Sequence, residues 1–329
     1  MPVMENEPMF LSIVIAAKNE AHNLYGLLKT ISENNYPSDK YEIIIVDDNS
    51  TDETYSVLQK LITSYPNLKI LRNTNQPGKR GALTLGIESA KSGNIVVTDA
   101  DCRPERNWLN GYNDLFVSGS EFIFGRAPYF QRNGITNKIA CFENYKSEVL
   151  STVSLKLNLP HSAAARNLGF TRQAFYRCGG YNNTLETMSG DDDLLLREMS
   201  NLKIKISYLD EDDTCVFSES KRTLKEYLKQ KARHTTTSFH YPLNVKCFLL
   251  FWHAPQNIFQ FIFLLGFINA GFIIMTILKL LFEIFISIKQ TRRNHYDFKL
   301  SDKLILPFIY EFFLLINLVS SKTIKPTWK

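Results

Sequence analysis

The stretch Asn94-Ile-Val-Val-Thr98, followed by Asp99-Ala-Asp101, is the part of this chain that decides its fold. An apolar, β-branched run of this kind predicts a buried strand, and in an open α/β sheet the carboxyl end of a strand opens toward a ligand crevice. Two carboxylates one residue apart repel each other. We therefore expect a cation beside Asp99 and Asp101, with a divalent metal ion carrying a diphosphate as the leading candidate. The alternative is that Asp99 and Asp101 are solvated acids in a turn. The other motifs of the chain bear on the choice between a metal site and such a turn.

Short apolar runs and helical patterns alternate along the residues that precede this stretch. The alternation predicts a mostly parallel sheet with helices on both faces. The near-continuous apolar strands agree with it, because parallel strands are buried on both sides. The predicted strands are 10–16, 41–46, 68–71 and the strand that ends at Asp99, and the predicted helices are about 20–33, 52–64 and 81–92.

The composition of the 329 residues argues against several classes of protein. A net charge of +5 is too small to indicate a nucleic-acid partner, so we expect none. The five cysteines form no C-x-x-C pair, which argues against a structural zinc site and favours a reducing compartment. The segment 1–10 lacks the basic-then-apolar order of a signal peptide, so we expect the front of the chain in the cytosol.

The hydropathy of the chain changes after Lys246. The segment 247–278 contains 32 residues without Asp, Glu, Lys or Arg, more than the ~20 residues that cross a bilayer. Extended to Ile288, this run is expected to form a hairpin of two short spans that turns near Asn269-Ala-Gly271. The predicted membrane spans are about 247–267 and 269–288, with a possible third at 304–320.

This change of composition predicts a catalytic part at 1–240 and a membrane-associated part at 241–329. The basic segment 289–293 belongs on the cytosolic side by the positive-inside rule, and two spans satisfy that rule. We therefore expect the protein at the inner (cytoplasmic) membrane with its catalytic part in the cytosol. One alternative is a single span with an interfacial helix broken at Pro255. The other is the buried helical core of a soluble protein.

Polar side chains also follow the second predicted strand. In Asp47-Asp48-Asn49-Ser50-Thr51-Asp52, Ser50 or Thr51 can cap the next helix, and Asp52 suits the dipole of its first turn. Helix capping does not account for Asp47 and Asp48, which can accept hydrogen bonds from a base or a ribose.

A loop rich in glycine and cations precedes the third predicted helix. The segment 76–81 offers Lys79 and Arg80, either to a phosphate or simply to solvent. It contains neither a Walker phosphate loop nor a G-x-G-x-x-G dinucleotide fingerprint.

These ordered motifs resemble those of the family 2 glycosyltransferases, which have a GT-A fold, and the resemblance runs from about Phe10 to Tyr241. The resemblance implies an α/β fold with a mostly parallel nucleotide-binding sheet, followed here by C-terminal transmembrane or interfacial helices. The segments that carry it are Ala16-Ala17-Lys18-Asn19-Glu20, 47–52, 78–82, Asp99-Ala-Asp101, Arg166-Asn167 and Gly179-Gly180-Tyr181.

Two later motifs extend the resemblance, and both depart from the family pattern. Gly190-Asp191-Asp192-Asp193-Leu194 falls where the family has E-D-x-D-L, whose first Asp is the general base. The resemblance implies Asp191 for this role, with Asp192 second, while a helix N-terminus is the structural alternative. Gln230-Lys-Ala-Arg233-His234 resembles Q-x-x-R-W with His234 in place of Trp. Arg233 then meets the donor diphosphate, and a solvated basic helix is the alternative.

The resemblance implies a metal-dependent, inverting transfer of sugar. Asp48 and the Asn19 edge hold the base, Asp99 the ribose, and Asp101 binds Mg²⁺ or Mn²⁺ on the diphosphate. Asp191 takes the proton of the acceptor hydroxyl. The implied contacts of the nucleotide sugar are Ala17, Asn19, Glu20, Asp48, Lys79, Asp99, Asp101, Gln230 and Arg233.

A UDP-sugar is the favoured donor, and a lipid-linked or cell-surface glycan is the expected acceptor. The membrane segment adds lipid as a partner, and its few spans favour a single-addition enzyme over a polymerising one. A nucleotidyltransferase of related fold and a membrane-tethered, inactive nucleotide-sugar-binding protein are the alternatives.

Overall fold

The computed structural model describes residues 7–74, 76–185, 190–262 and 270–322. Their contacts divide them into two compact units. Residues 7–127 and 162–219 form the first unit, and residues 128–161 and 220–322 form the second. The second unit thus takes in 128–161 and 220–240 together with the C-terminal helices. The division at residue 240, which follows composition, stays a prediction.

A seven-stranded sheet lies in the first unit. Its strand order is β3-β2-β1-β4-β7-β6-β8. The strands β1, β2, β3 and β4 run parallel, β8 is parallel to β6, and β7 is antiparallel to β4 and to β6, so the predicted mostly parallel sheet is confirmed. The strands are β1 Leu11–Ala17, β2 Tyr41–Asp47, β3 Leu68–Arg72, β4 Asn94–Val97, β5 Arg103–Pro104, β6 Phe122–Gly125, β7 Leu168–Thr171, β8 Ile206–Leu209 and β9 Val216–Phe217, with β5 and β9 paired separately.

Helices flank this sheet in the first unit, and a separate set of helices makes up the second unit. Those of the first unit are α1 Leu24–Ser32, α2 Thr54–Leu61, α3 Lys79–Glu88, α4 Trp108–Val117, α6 Arg172–Arg177 and α7 Asp193–Asn201. Those of the second unit are α5 Ile135–Lys156, α8 Leu224–Thr235, α9 Leu243–Ile262, α10 Ala270–Arg293 and α11 Leu300–Ser321.

The close packing of α3 on the sheet places its first residue at the carboxyl ends of the strands. Gly86 of α3 is buried, and a Cβ atom there would lie 2.4 Å from Val14 Cγ1 and 3.2 Å from Val46 Cγ2. Only a residue without a side chain permits this approach to β1 and β2. The absence of a side chain at Gly86 therefore allows α3 to lie this close to the sheet, with Lys79 at its start.

The second unit has an apolar core that joins its helices. Phe142 of α5 packs against Phe298 at 5.9 Å and against Tyr310 of α11 at 6.2 Å between ring centroids. Tyr227 of α8 belongs to the same buried cluster. Helices α5, α8 and α11 therefore share one core, although the sequence composition separates them.

Within the described residues, two helical stretches are long and apolar enough to cross a membrane: Gly271–Ile288 in α10 and Leu300–Ser321, which is α11. Core helices of soluble proteins pass the same test of length and composition. The α10 stretch, however, exposes large apolar side chains such as Phe282 at 63% and Phe285 at 74%, as a lipid-facing helix does. These two helices match the predicted second and third spans.

The first predicted span, 247–267, lies only partly within the described residues. Of the predicted turn 269–271, Asn269 lies outside them, and Ala270 and Gly271 are the first residues of α10. Helix α9 covers the first part of that span and continues through Pro255. The break at Pro255 that belonged to the alternative with a single span is therefore absent from α9. Proline removes one backbone donor from a helix, and here the helix runs on beyond it.

Candidate active site

Three polar segments follow neighbouring parallel strands at one edge of the sheet. Strand β1 pairs with β2, so that Ala17 lies beside Asp47, and β1 also pairs with β4, which precedes Asp99. Because the carboxyl ends of parallel strands meet at one edge, the segments after β1, β2 and β4 lie together there. The motifs 16–20, 47–52 and 99–101 thus meet at this edge of the sheet.

Asp48 holds the loop that leads into α3. Its carboxylate accepts hydrogen bonds from the Gly78 N–H at 3.0 Å and from Asn73 Nδ2 at 2.6 Å, and Lys18 Nζ lies 3.5 Å away. Gly78 adopts a φ angle of 109°, which favours glycine. The side chain of Asp48 is 1% exposed, so these donors account for its oxygens in this structure. Its contact with a nucleobase stays a prediction.

The predicted nucleotide-edge residues after β1 are tied to the loop after β2. Asn19 has a left-handed φ angle of 56°, and its Oδ1 accepts a hydrogen bond from the Thr51 N–H at 2.8 Å. The carbonyl of Ala17 accepts one from the Asp48 N–H at 2.8 Å, and Glu20 is buried. These bonds fix the two loops to each other, while the predicted contacts with a nucleotide stay predictions.

Asp99, Asp101 and Cys102 form a group that could hold a metal ion. One ligand atom of each residue lies within 4.8 Å of the others. Burial and the charges of Asp101 and Asp99 raise the pKa of the Cys102 thiol well above its usual range, and a sulfur atom is a softer donor than Mg²⁺ or Mn²⁺ prefers. The two carboxylates supply hard oxygen donors, which suit Mg²⁺ or Mn²⁺. The residues present therefore fit the predicted cation.

Lys79 joins this group to the predicted general base. Its Nζ lies 2.8 Å from Asp99 Oδ1 and 2.9 Å from Asp191 Oδ2, and its side chain is 13% exposed. Burial acts to lower the pKa of Lys79, but the two carboxylates outweigh it and raise that pKa well above its usual value. For Asp191, burial acts to raise the pKa, and Lys79 outweighs it and lowers that pKa. Both side chains are therefore charged at neutral pH.

Asp192 has a different environment from Asp191. It is the N-cap of α7, where its Oδ1 accepts from the Asp193 N–H at 2.8 Å and its Oδ2 accepts from the Ala165 N–H at 3.0 Å. Burial and the neighbouring carboxylates of Asp193 and Asp191 raise its pKa to about 8. Asp192 thus ties the start of α7 to the segment before β7, and the helix N-terminus that the sequence offered as an alternative is present.

Gln230 and Arg233 lie in α8 of the second unit. Arg233 Nη2 is 3.2 Å from His234 Nε2, the residue that stands in place of the family tryptophan. The predicted contact of Arg233 with a diphosphate stays a prediction.

Two features of the site escaped the sequence reasoning. Cys102 belongs to the candidate metal group with Asp99 and Asp101, and only its position directly after Asp101 in the chain points to this. Asn167, quoted as part of a motif, is a buried structural residue, because its Oδ1 accepts hydrogen bonds from Trp108 Nε1 at 2.9 Å and from the Tyr112 hydroxyl at 2.8 Å.

Comparisons with known proteins show the family of this chain. Residues 12–176, half of the chain, match the family model described as Glycosyl transferase family 2. Glycosyltransferase AglE of Haloferax volcanii is 30% identical over 169 residues, which are 51% of this chain and 52% of that protein. A beta-monoglucosyldiacylglycerol synthase of Nostoc sp. is 32% identical over 206 residues, covering 57% of this chain and 41% of the relative. The chain thus spans about half the length of these relatives or less.

Among solved structures, mannosyltransferase PcManGT from Pyrobaculum calidifontis is similar with a TM-score of 0.61 and 17% identity, covering 97% of this chain and 90% of its own. At this identity the likeness shows the fold alone. The predicted GT-A fold class, with apolar C-terminal helices that could span a membrane, is confirmed.

Proposed function

Because this chain belongs to glycosyl transferase family 2, we propose that it moves a sugar from a nucleoside diphosphate sugar to a hydroxyl acceptor. One observation carries the proposal: Lys79 Nζ joins Asp99, a member of the candidate metal group, to Asp191 across 2.8 and 2.9 Å. In this arrangement the candidate metal group and a charged carboxylate lie on either side of one ammonium. Such a transfer needs one group that accepts a proton and another that stabilises the departing diphosphate.

In the proposed mechanism, Asp101 would hold Mg²⁺ or Mn²⁺, which would supply Lewis-acid stabilisation of the departing diphosphate. The resemblance gives Asp99 to the ribose, and we propose it as a second ligand because its ligand atom lies within 4.8 Å of that of Asp101. Asp191 accepts the proton of the acceptor hydroxyl as the hydroxyl oxygen attacks the anomeric carbon. The bond from that carbon to the diphosphate oxygen breaks, and the nucleoside diphosphate leaves with inversion at the carbon. A lowered pKa keeps Asp191 ionised and ready to accept that proton. Asp192 serves as a positioning residue, because both of its oxygens already accept backbone hydrogen bonds.

The donor and the acceptor are proposed at the level of chemical class. A UDP-sugar remains the favoured donor, and a GDP-sugar is the second, because the structure of PcManGT is a complex with GDP-Man and Mn²⁺. A lipid-borne hydroxyl is the proposed acceptor. The name of the Nostoc relative, a beta-monoglucosyldiacylglycerol synthase, supports it, and so do the two helices that could enter a membrane.

We place the reaction at the cytosolic face of the inner membrane. The basic segment 289–293 lies at the end of α10, and the positive-inside rule assigns a basic segment beside a membrane span to the cytosolic side. The nucleotidyltransferase alternative loses its support, since the matching family model is that of glycosyl transferases.

The test is titration calorimetry of UDP and GDP with the full chain in nanodiscs, with and without Mn²⁺. We expect binding of one nucleotide that depends on Mn²⁺ and is lost in Asp101→Asn, while the exposed control Asp39→Asn binds as the wild type does. A panel of nucleotide sugars then shows which one is consumed. Nucleotide binding that ignores Mn²⁺ and Asp101 contradicts the proposal, and binding without any turnover supports the inactive binding protein instead.

A further inference from the structure

We propose that Lys79 is an internal cation that keeps a divalent metal ion from Asp99 until a nucleotide diphosphate draws its ammonium away. In this proposal the metal ion binds together with the nucleotide and does not bind before it. This inference rests on the proposed function, because it assumes that Asp99 and Asp101 serve a metal-diphosphate complex. Lys79 is in this view a positioning residue that controls the order of binding.

The geometry shows why the ammonium and a metal ion compete. Asp99 Oδ1 is 2.8 Å from Lys79 Nζ, a full hydrogen bond to a charged donor. Asp99 is also one of the residues of the candidate metal group. A divalent cation bound there would lie within a few ångströms of a second positive charge in a half-buried site, where charge repulsion is strong. The metal ion therefore has to displace or repel the ammonium before it binds.

A diphosphate changes this balance. It brings negative charge to the metal and to Lys79 at once, so that each cation has a new partner. Lys79 is the first residue of α3, and its flexible four-carbon side chain can move without a change in the backbone. Asp191 is then free of its ammonium partner at the moment when the donor is in place.

A purely structural ion pair would behave differently. It would stabilise the fold by joining the segments after β4 and before α7, and its loss would not change the affinity for a metal ion. The two roles therefore separate in a measurement of metal binding without nucleotide.

The experiment measures Mn²⁺ binding by electron paramagnetic resonance of free Mn²⁺, on the full chain in nanodiscs. We expect the wild type to bind Mn²⁺ weakly alone and more tightly after addition of the nucleotide, UDP or GDP, that the chain binds. Lys79→Gln should bind Mn²⁺ alone at least about tenfold more tightly, a lower bound, because a charge a few ångströms away at an effective dielectric constant of ~20 opposes a divalent cation by more than this factor. The added nucleotide should then give little further gain.

Two variants serve as controls. Lys79→Arg keeps the charge and should bind Mn²⁺ as weakly as the wild type. Lys18→Gln removes a lysine that pairs with Asp48 at 3.5 Å, so it matches the change in net charge without touching Asp99. An equal gain in Lys18→Gln would trace the effect to net charge and overturn the proposal.

Lys79→Gln leaves two carboxylates without their ammonium partner, so its folding needs a check. We expect its thermal midpoint to fall without Mn²⁺ and to recover with it. In the double variant Lys79→Gln with Asp191→Asn, one of these charges is removed as well, and the same tighter binding of Mn²⁺ is expected. Unchanged Mn²⁺ affinity in both variants overturns the role of Lys79 while metal-dependent nucleotide binding still supports the proposed function. Loss of that nucleotide dependence in the wild type overturns both.

Discussion

The ammonium of Lys79 lies 2.9 Å from Asp191 Oδ2, and this ion pair joins the first residue of α3 to the loop before α7. The two side chains come from segments more than a hundred positions apart in the chain. Neither is fully exposed, so their ion pair is less screened by solvent than a surface pair. This contact explains why Asp191 stays charged in a half-buried crevice.

The pH dependence of the rate should report this ion pair. Since Lys79 lowers the pKa of Asp191 in the free enzyme, the acid limb of the kcat/KM profile, which reports the free enzyme, should lie below the usual Asp range of about 3.9. Lys79→Gln should move that limb to higher pH by about one unit or more, the scale of a lost neighbouring charge. Lys79→Arg is the matched control. Superimposable profiles for Lys79→Gln and the wild type would show that the pair does not set the ionisation of the base.

Asp192 should make the folded protein less stable as the pH rises. Its folded pKa is about 8, above the unfolded value of about 3.9, so the folded state holds the proton more tightly between these values. The stabilisation is complete below about pH 4 and is lost as the pH rises through about 8. Asp192→Asn should flatten this slope, measured as thermal midpoints at several pH values. The exposed Asp39→Asn is the control, and an unchanged slope in Asp192→Asn contradicts the prediction.

Gly86→Ala should push α3 away from the sheet. The added Cβ atom would lie 2.4 Å from Val14 Cγ1, and overpacking of this kind costs about 1–3 kcal/mol. The thermal midpoint should fall and nucleotide binding should weaken, because α3 begins with Lys79. Gly93→Ala is the matched control, since nothing lies within 4 Å of its Cβ position. Equal midpoints for the two variants would rule out the close approach.

Truncation after Tyr241 should not release a soluble, monodisperse fragment, although composition predicts a separate catalytic part at 1–240. The cut removes Phe298 and Tyr310, against which Phe142 packs, and so opens the core that also contains Tyr227. The truncated chain should aggregate in size-exclusion chromatography, and detergent should disperse it. A monodisperse, membrane-free fragment would contradict this view of the second unit.

Much of the first unit follows from local patterns in the sequence. Predicted strands 10–16 and 41–46 correspond to Leu11–Ala17 and Tyr41–Asp47, because continuous apolar runs specify buried parallel strands. The predicted pair Asp99 and Asp101 belongs to a candidate metal group, as expected of acids that follow such a strand.

Other features depend on contacts between distant segments, which single-sequence patterns do not contain. The antiparallel strand β7 enters between β4 and β6, and the bridge from Lys79 to Asp191 exists only once α3 and α7 are placed. The grouping of α5 and α8 with the C-terminal helices arises in the same way, from side chains that meet only in the folded chain.

The most direct test of the central claim is the rate of sugar transfer by Asp191→Asn, measured with the nucleotide sugar that the wild type consumes. We expect the rate to fall by roughly 10²–10⁴, the usual contribution of a general base, while Mn²⁺-dependent nucleotide binding stays within a few-fold of the wild type. Transfer by Asp191→Asn at the wild-type rate would contradict the assignment of the base and the function built on it.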